Sequence, residues 1–177
     1  MFITDKARFE DYEKDLKIVL DNIVYLDKKT QSLYLAPRNF VTDLYSIPNG
    51  LAWLVGDSAG RDCRPAIIHD FGCAYHKLLK VELSPAQLAR LGYLHKHHST
   101  SRNIDVMVCE DIPEQYLSLV DVTKGSVNDL FGRMMNDLKL SRRKLIRAGV
   151  AFNFNFYWSK KDFDWNNLYK IDNHYKR

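Results

Sequence analysis

The sequence predicts an α+β fold: an N-terminal β-hairpin or small antiparallel sheet packed on three to four α-helices. Three observations predict it. Residues 17–35 are rich in β-branched and aromatic side chains and are broken by one turn-forming run at 27–30. From residue 62 onward the apolar residues recur at helical spacing instead. The two patterns follow one another along the chain, which separates strands from helices.

Each element has its own signal. Residues 7–16 read as a short, weakly amphipathic helix, residues 17–26 as a strand, and residues 32–35 as the returning strand, ended by Pro37. Phe40, Val41 and Thr42 form a further extended segment that runs into Asp43 and the turn at 47–50. Residues 62–79 carry the clearest helix, with Asp62 as cap, Pro65 in the first turn, and Ile67, Phe71, Ala74 and Leu78 in register. Ser84 and Pro85 open a second helix whose shared face includes Leu88, Leu91 and His95. Residues 99–125 are less regular. Ser126 is the expected cap of a third helix, to about residue 140, which sets Asn128, Phe131, Met135 and Leu138 on one side. A fourth helix is expected from Arg142 through Phe152 and Phe156.

At 177 residues the chain is expected to be a single domain, 1–177, large enough for a real core. Its 46% hydrophobic and 27% charged residues are ordinary for a soluble globular protein. No apolar run approaches the roughly 18 residues that span a bilayer, so an integral membrane protein is not expected. The charged N-terminal stretch lacks the apolar centre of a signal peptide. Cys63, Cys73 and Cys109 are odd in number and lack zinc-finger spacing, which argues against a disulfide framework. The net charge of +4 is modest, but basic residues gather late, among Tyr157, Trp158, Trp165 and Tyr169. Such interleaving can bind single-stranded nucleic acid. The plainer reading is a solvated helix face over an aromatic core, so nucleic acid is not the expected partner.

Function concentrates in residues 40–76. Thr42, Asp43 and Ser46 form one polar cluster, and His69 with Asp70 forms another inside the apolar helix. A carboxylate on a half-buried face needs a donor, a cation or a metal. The adjacent histidine is the side chain best suited to exchange a proton near neutral pH.

The order of a hairpin, then F-V-T-D-x-x-S-I-P at residues 40–48, then A-x-x-H-D at 66–70, resembles the phage- and prophage-associated family of domains of unknown function 1353. Family members continue with a helix bearing an Asp, an aromatic or leucine three residues later, and a small residue followed by Met; Asn128, Phe131, Met134 and Met135 are the match here. The resemblance covers residues 17–80 and 123–158, so residues 81–122 read as an insertion. It implies a phage-encoded protein located in the bacterial host cytoplasm or the virion. Two consecutive helical positions point about 100° apart, so of Asn128 and Asp129 the former is expected to look inward.

The same helix is similar, more distantly, to the His-Asp helix of phospholipase A2 enzymes. That resemblance implies His69 as general base on a water, Asp70 and Asp43 as Ca²⁺ ligands with oxygens of the 43–50 loop, and Asn128 or Asp129 as the group orienting His69. The substrate would be a lipid or other ester. This sequence departs from that pattern in lacking the cysteine-glycine calcium loop, in displacing the tyrosine, and in placing Asn where Asp is usual.

Other readings of the same residues stand beside it. His69, Cys73 and His76 share one helix face and could ligate a borderline metal; His95, His97 and His98 could do so too, or could complement a helix C-terminus. Alternatively Asp43 and Ser46 cap a turn, Asp70 pairs with Arg64 or Lys77, and His69 donates to a carbonyl. That arrangement is a structural network in a non-enzymatic virion or host-interaction protein, whose partners are other phage or host proteins.

Overall fold

A computed structural model of the chain describes residues 1–5, 7–13, 16–42, 63–100, 103–139 and 161–170. The class is α+β, with three antiparallel sheets and three α-helices among the described residues. One sheet joins β1 (Phe9–Glu13), β2 (Leu16–Val19) and β5 (Val41–Thr42). A second holds β3 (Ile23–Asp27), β4 (Ser32–Ala36), β6 (Lys77–Val81) and β9 (Leu117–Asp121), in that order. The third is a ribbon of β7 (Leu94–Ser99) and β8 (Ile104–Cys109). The helices are α1 (Arg64–Tyr75), α2 (Pro85–Arg90) and α3 (Lys124–Asp137). The expected hairpin exists as β3 and β4, but it is half of a four-stranded sheet rather than a separate N-terminal unit.

Several elements depart from the sequence expectation, each for a physical reason. Residues 9–13 form a strand instead of part of a helix, because pairing with β2 supplies more than their weak helical pattern. The single strand expected over 17–26 divides into β2 and β3 at Asp21 and Asn22. Asn22 is 1% exposed. Its amide donates to the Glu110 carbonyl at 2.9 Å and accepts from the Arg38 N–H at 2.8 Å. A side chain that bonds backbone in this way competes with the ladder and lets the chain change sheets.

Helix α1 is shorter than expected. Its N-cap is Cys63, without a side-chain cap bond, and Pro65 lies in the first turn; Asp62 lies outside the described residues. At the other end His76 takes the left-handed conformation, φ 53° and ψ 27°. Leu78, Leu79 and Val81 then enter β6, between β4 and β9, so their apolar run is a buried strand. Helix α2 has the expected start, a reciprocal capping box of Ser84 and Gln87, but ends at Leu91. Gly92 at φ +83° turns the chain, and His95 falls on β7. Helix α3 is capped by Thr123, with Ser126 as the third residue of its capping box. The helix expected from Arg142 lies outside the described residues.

Residues 81–122, read as an insertion, contribute to the core as well as the surface. They supply β9 to the main sheet, and Leu88 and Ile112 are fully buried.

The placement of α3 is what matters for function. Arg133 grips Asp27 on β3 with two bonds, 3.1 and 2.9 Å, and Tyr25 donates to Asp137 at 2.9 Å. Helices α1 and α3 meet at Gly72, where a Cβ would stand 3.1 Å from Val127 Cγ2 and 3.3 Å from Leu78 Cδ2. The missing side chain permits the close approach. Asn128, next to Val127, is thereby brought to the His69 side of α1.

Candidate functional site

Helix α1 buries most of its circumference, including Ile67, Ile68, Phe71 and Cys73. His69 is 6% exposed within it. Its Nε2 lies 2.9 Å from Asn128 Oδ1. An amide oxygen can only accept, so Nε2 carries a proton and donates. Phe131, one turn beyond Asn128, packs on the imidazole with ring centroids 4.8 Å apart. The ring is thus held on one edge and one face by α3.

The opposite nitrogen, Nδ1, lies 3.5 Å from Asp70 Oδ1. That is longer than a charge-assisted hydrogen bond, about 2.7–2.9 Å. Thr42, at the end of β5, donates from Oγ1 to Asp70 Oδ2 at 2.6 Å. Cys73 Sγ stands 3.6 Å from Nε2 and 3.8 Å from Nδ1. Such near-equal distances put the sulfur beside the ring and in line with neither nitrogen. Burial disfavours the imidazolium, but the Asp70 carboxylate and the Cys73 sulfur close beside the ring outweigh it, and the His69 pKa is raised to about 10. The ring therefore favours its charged form at neutral pH.

His69, Asp70 and Asn128 come together from two helices far apart in sequence. Asn128 is the inward residue of its pair, and Asp129 is exposed. Asp43 and Ser46 lie outside the described residues. Thr42, marked in the sequence only as part of the Asp43 and Ser46 cluster, is the member placed directly against Asp70. Its signal was the position directly before Asp43, at the mouth of the polar cluster.

The alternative partners for the centre are engaged elsewhere. Arg64 donates to the Thr4 carbonyl at 2.5 Å and lies over the Phe2 ring, and Lys77 pairs with Asp121 at 2.5 Å. His95 and His98 belong to β7, where they face Glu110 at 3.5 Å and Asp105 at 3.0 Å across an exposed ribbon. A helix C-terminal role for that run is corrected by its strand. Among the described residues, no three His, Cys, Asp or Glu side chains gather as a metal site.

On the Thr42 side of Asp70 the structure places a hydroxyl, which donates to Oδ2; a hard cation such as Ca²⁺ would need oxygen ligands beyond Asp70. Calcium takes about six to eight oxygens, so its further ligands would have to come from Asp43 and the 43–50 loop.

The family model described as protein of unknown function (DUF1353) matches residues 18–150. The chain belongs to this family. The match runs through both halves of the centre, so the His69 helix and the Asn128 helix of this DUF1353 chain fall within one family unit, together with the intervening residues 81–122. No curated protein and no solved structure matches the chain. Among the described residues, no helix is long and apolar enough to cross a membrane.

Proposed function

We propose that the chain is a metal-assisted ester hydrolase, phage-encoded, with phospholipase A2-like chemistry at His69, Asp70 and Asn128. One observation carries the reading: Asn128 Oδ1 engages His69 Nε2 at 2.9 Å and leaves Nδ1 turned toward Asp70. Once the ring is neutral, that bond selects the tautomer whose free lone pair is on Nδ1, beside the carboxylate. A base so oriented takes a proton from water as the water oxygen attacks the ester carbonyl. The proton then passes to the leaving alkoxide, and the products are a carboxylic acid and an alcohol. A divalent cation held by Asp70 and Asp43 would polarise the carbonyl and offset the charge that keeps His69 protonated. The reading therefore demands cation-dependent activity.

A second reading has its own support. The His69 and Asp70 side chains are only 8% and 11% exposed, and Thr42, Asp70, His69 and Asn128 form a buried polar cluster in which β5, α1 and α3 meet. Such a network fixes one arrangement without catalysing anything, as a virion or host-interaction component needs. Hydrolysis of phospholipid and simple ester substrates, measured with Ca²⁺ and with a chelator, separates the two. Calcium-dependent turnover lost in His69→Ala supports the enzyme; no turnover in the parent protein supports the scaffold.

A further inference from the structure

We infer that Thr42 is the positioning residue of the centre: its hydroxyl holds Asp70 so that Oδ1 faces the His69 ring. The inference rests on the reading of His69 and Asp70 as the working pair. Neighbouring residues on a helix diverge by about 100°, so α1 alone does not direct the Asp70 carboxylate toward His69. The ring does not hold it either, since Nδ1 and Oδ1 are 3.5 Å apart. Of these two contacts among the described residues, the 2.6 Å bond from Thr42 is the shorter.

Thr42 is built to be a fixed point. It is 2% exposed, and its backbone pairs with Lys17 of β2. Its β-branched side chain is stiff about χ1. The register of the small β1–β2–β5 sheet therefore sets where the hydroxyl stands, and the hydroxyl sets the carboxylate. A sheet that otherwise looks like support becomes part of the site's geometry. Because one oxygen of Asp70 is occupied by Thr42, the other is presented on the Nδ1 side of the ring, where the proposed chemistry needs it.

The test records His69 ring-nitrogen NMR signals in calcium-free protein for the parent, Thr42→Ser, Thr42→Val, Asp70→Asn and the Thr42→Val/Asp70→Asn double variant. Thr42→Val should shift Nδ1 while leaving Nε2, still bonded to Asn128, near its parent position. Thr42→Ser, which keeps the hydroxyl, should stay close to the parent. In the Asp70→Asn background Thr42→Val should add nothing further. A Thr42→Val protein with unchanged Nδ1, or an undiminished effect without Asp70, overturns the inference. So does a Thr42→Ser shift as large as that of Asp70→Asn, which keeps the test decisive should the valine variant not fold. If the parent hydrolyses esters, Thr42→Val should lower kcat about tenfold or more with little change in KM. Absence of any parent hydrolysis counts against the enzyme reading alone, because the NMR result does not depend on turnover.

Discussion

Asn128 Oδ1 accepts from His69 Nε2 across 2.9 Å, joining two helices through residues 59 positions apart in the chain. The bond satisfies a ring nitrogen that would otherwise be buried without a partner. Asn128→Ala should cost about 1–3 kcal/mol, the usual penalty for an unsatisfied buried group. Asn128→Asp should recover that loss, since a carboxylate accepts the same bond from the charged ring. Urea denaturation of the two variants beside the parent checks the pair of outcomes.

The His69 pKa gives a pH signature with a definite sign. In calcium-free protein the folded value is raised to about 10 from an ordinary value of 6.5. A raised value means the folded state holds the proton more tightly than the unfolded chain. The stabilisation is therefore complete below about pH 6.5 and is lost as pH rises toward and through 10. Denaturation at pH 6 and pH 9 should show the parent losing more stability than His69→Gln over that interval. Equal losses in both proteins would remove His69 as the cause.

Asp27 offers the opposite sign. Burial opposes its charge, but Arg133, the Lys29 N–H and the Thr30 hydroxyl outweigh burial and hold its pKa below the usual carboxylate value. Its contribution is present above the unfolded pKa and is lost as pH falls through the depressed folded one. Arg133→Ala should leave a carboxylate that is 1% exposed without its cation, costing about 2 kcal/mol or more. The α3 helix should loosen with it, so the Asn128–His69 bond is expected to weaken, read as broadened His69 ring signals.

Gly72→Ala tests the helix crossing. The new methyl would stand 3.1 Å from Val127 Cγ2. Overpacking of this kind costs about 1–3 kcal/mol, more than the 0.5–1 kcal/mol a helix gains from alanine. Adding Val127→Ala should return much of the melting temperature. A Gly72→Ala protein as stable as the parent would show that the helices can separate freely.

Much of this was legible in the sequence because it rested on local chemistry. The hairpin turn at 27–30, the Ser84 cap and the helical register of Asn128 with Phe131 are written in neighbouring residues, and all three are present. What was not legible depended on distant partners. The apolar run at 77–81 fits a helix or a buried strand equally, and the left-handed turn at His76 with pairing to β4 and β9 decides for the strand. Residues 9–13 have too weak a pattern to show a strand until β2 is beside them. Thr42 stands out in the sequence as polar, but only the fold reveals that its partner is Asp70.

The most direct test of the proposed hydrolytic centre is release of free carboxylic acid from phospholipid and simple ester substrates by the purified chain, followed with Ca²⁺ and with a chelator. The account predicts turnover with Ca²⁺, none with the chelator, and none in folded His69→Ala or Asp70→Asn variants. Activity that survives chelation or either substitution would contradict it, and so would a folded parent protein that binds no Ca²⁺ and releases no acid.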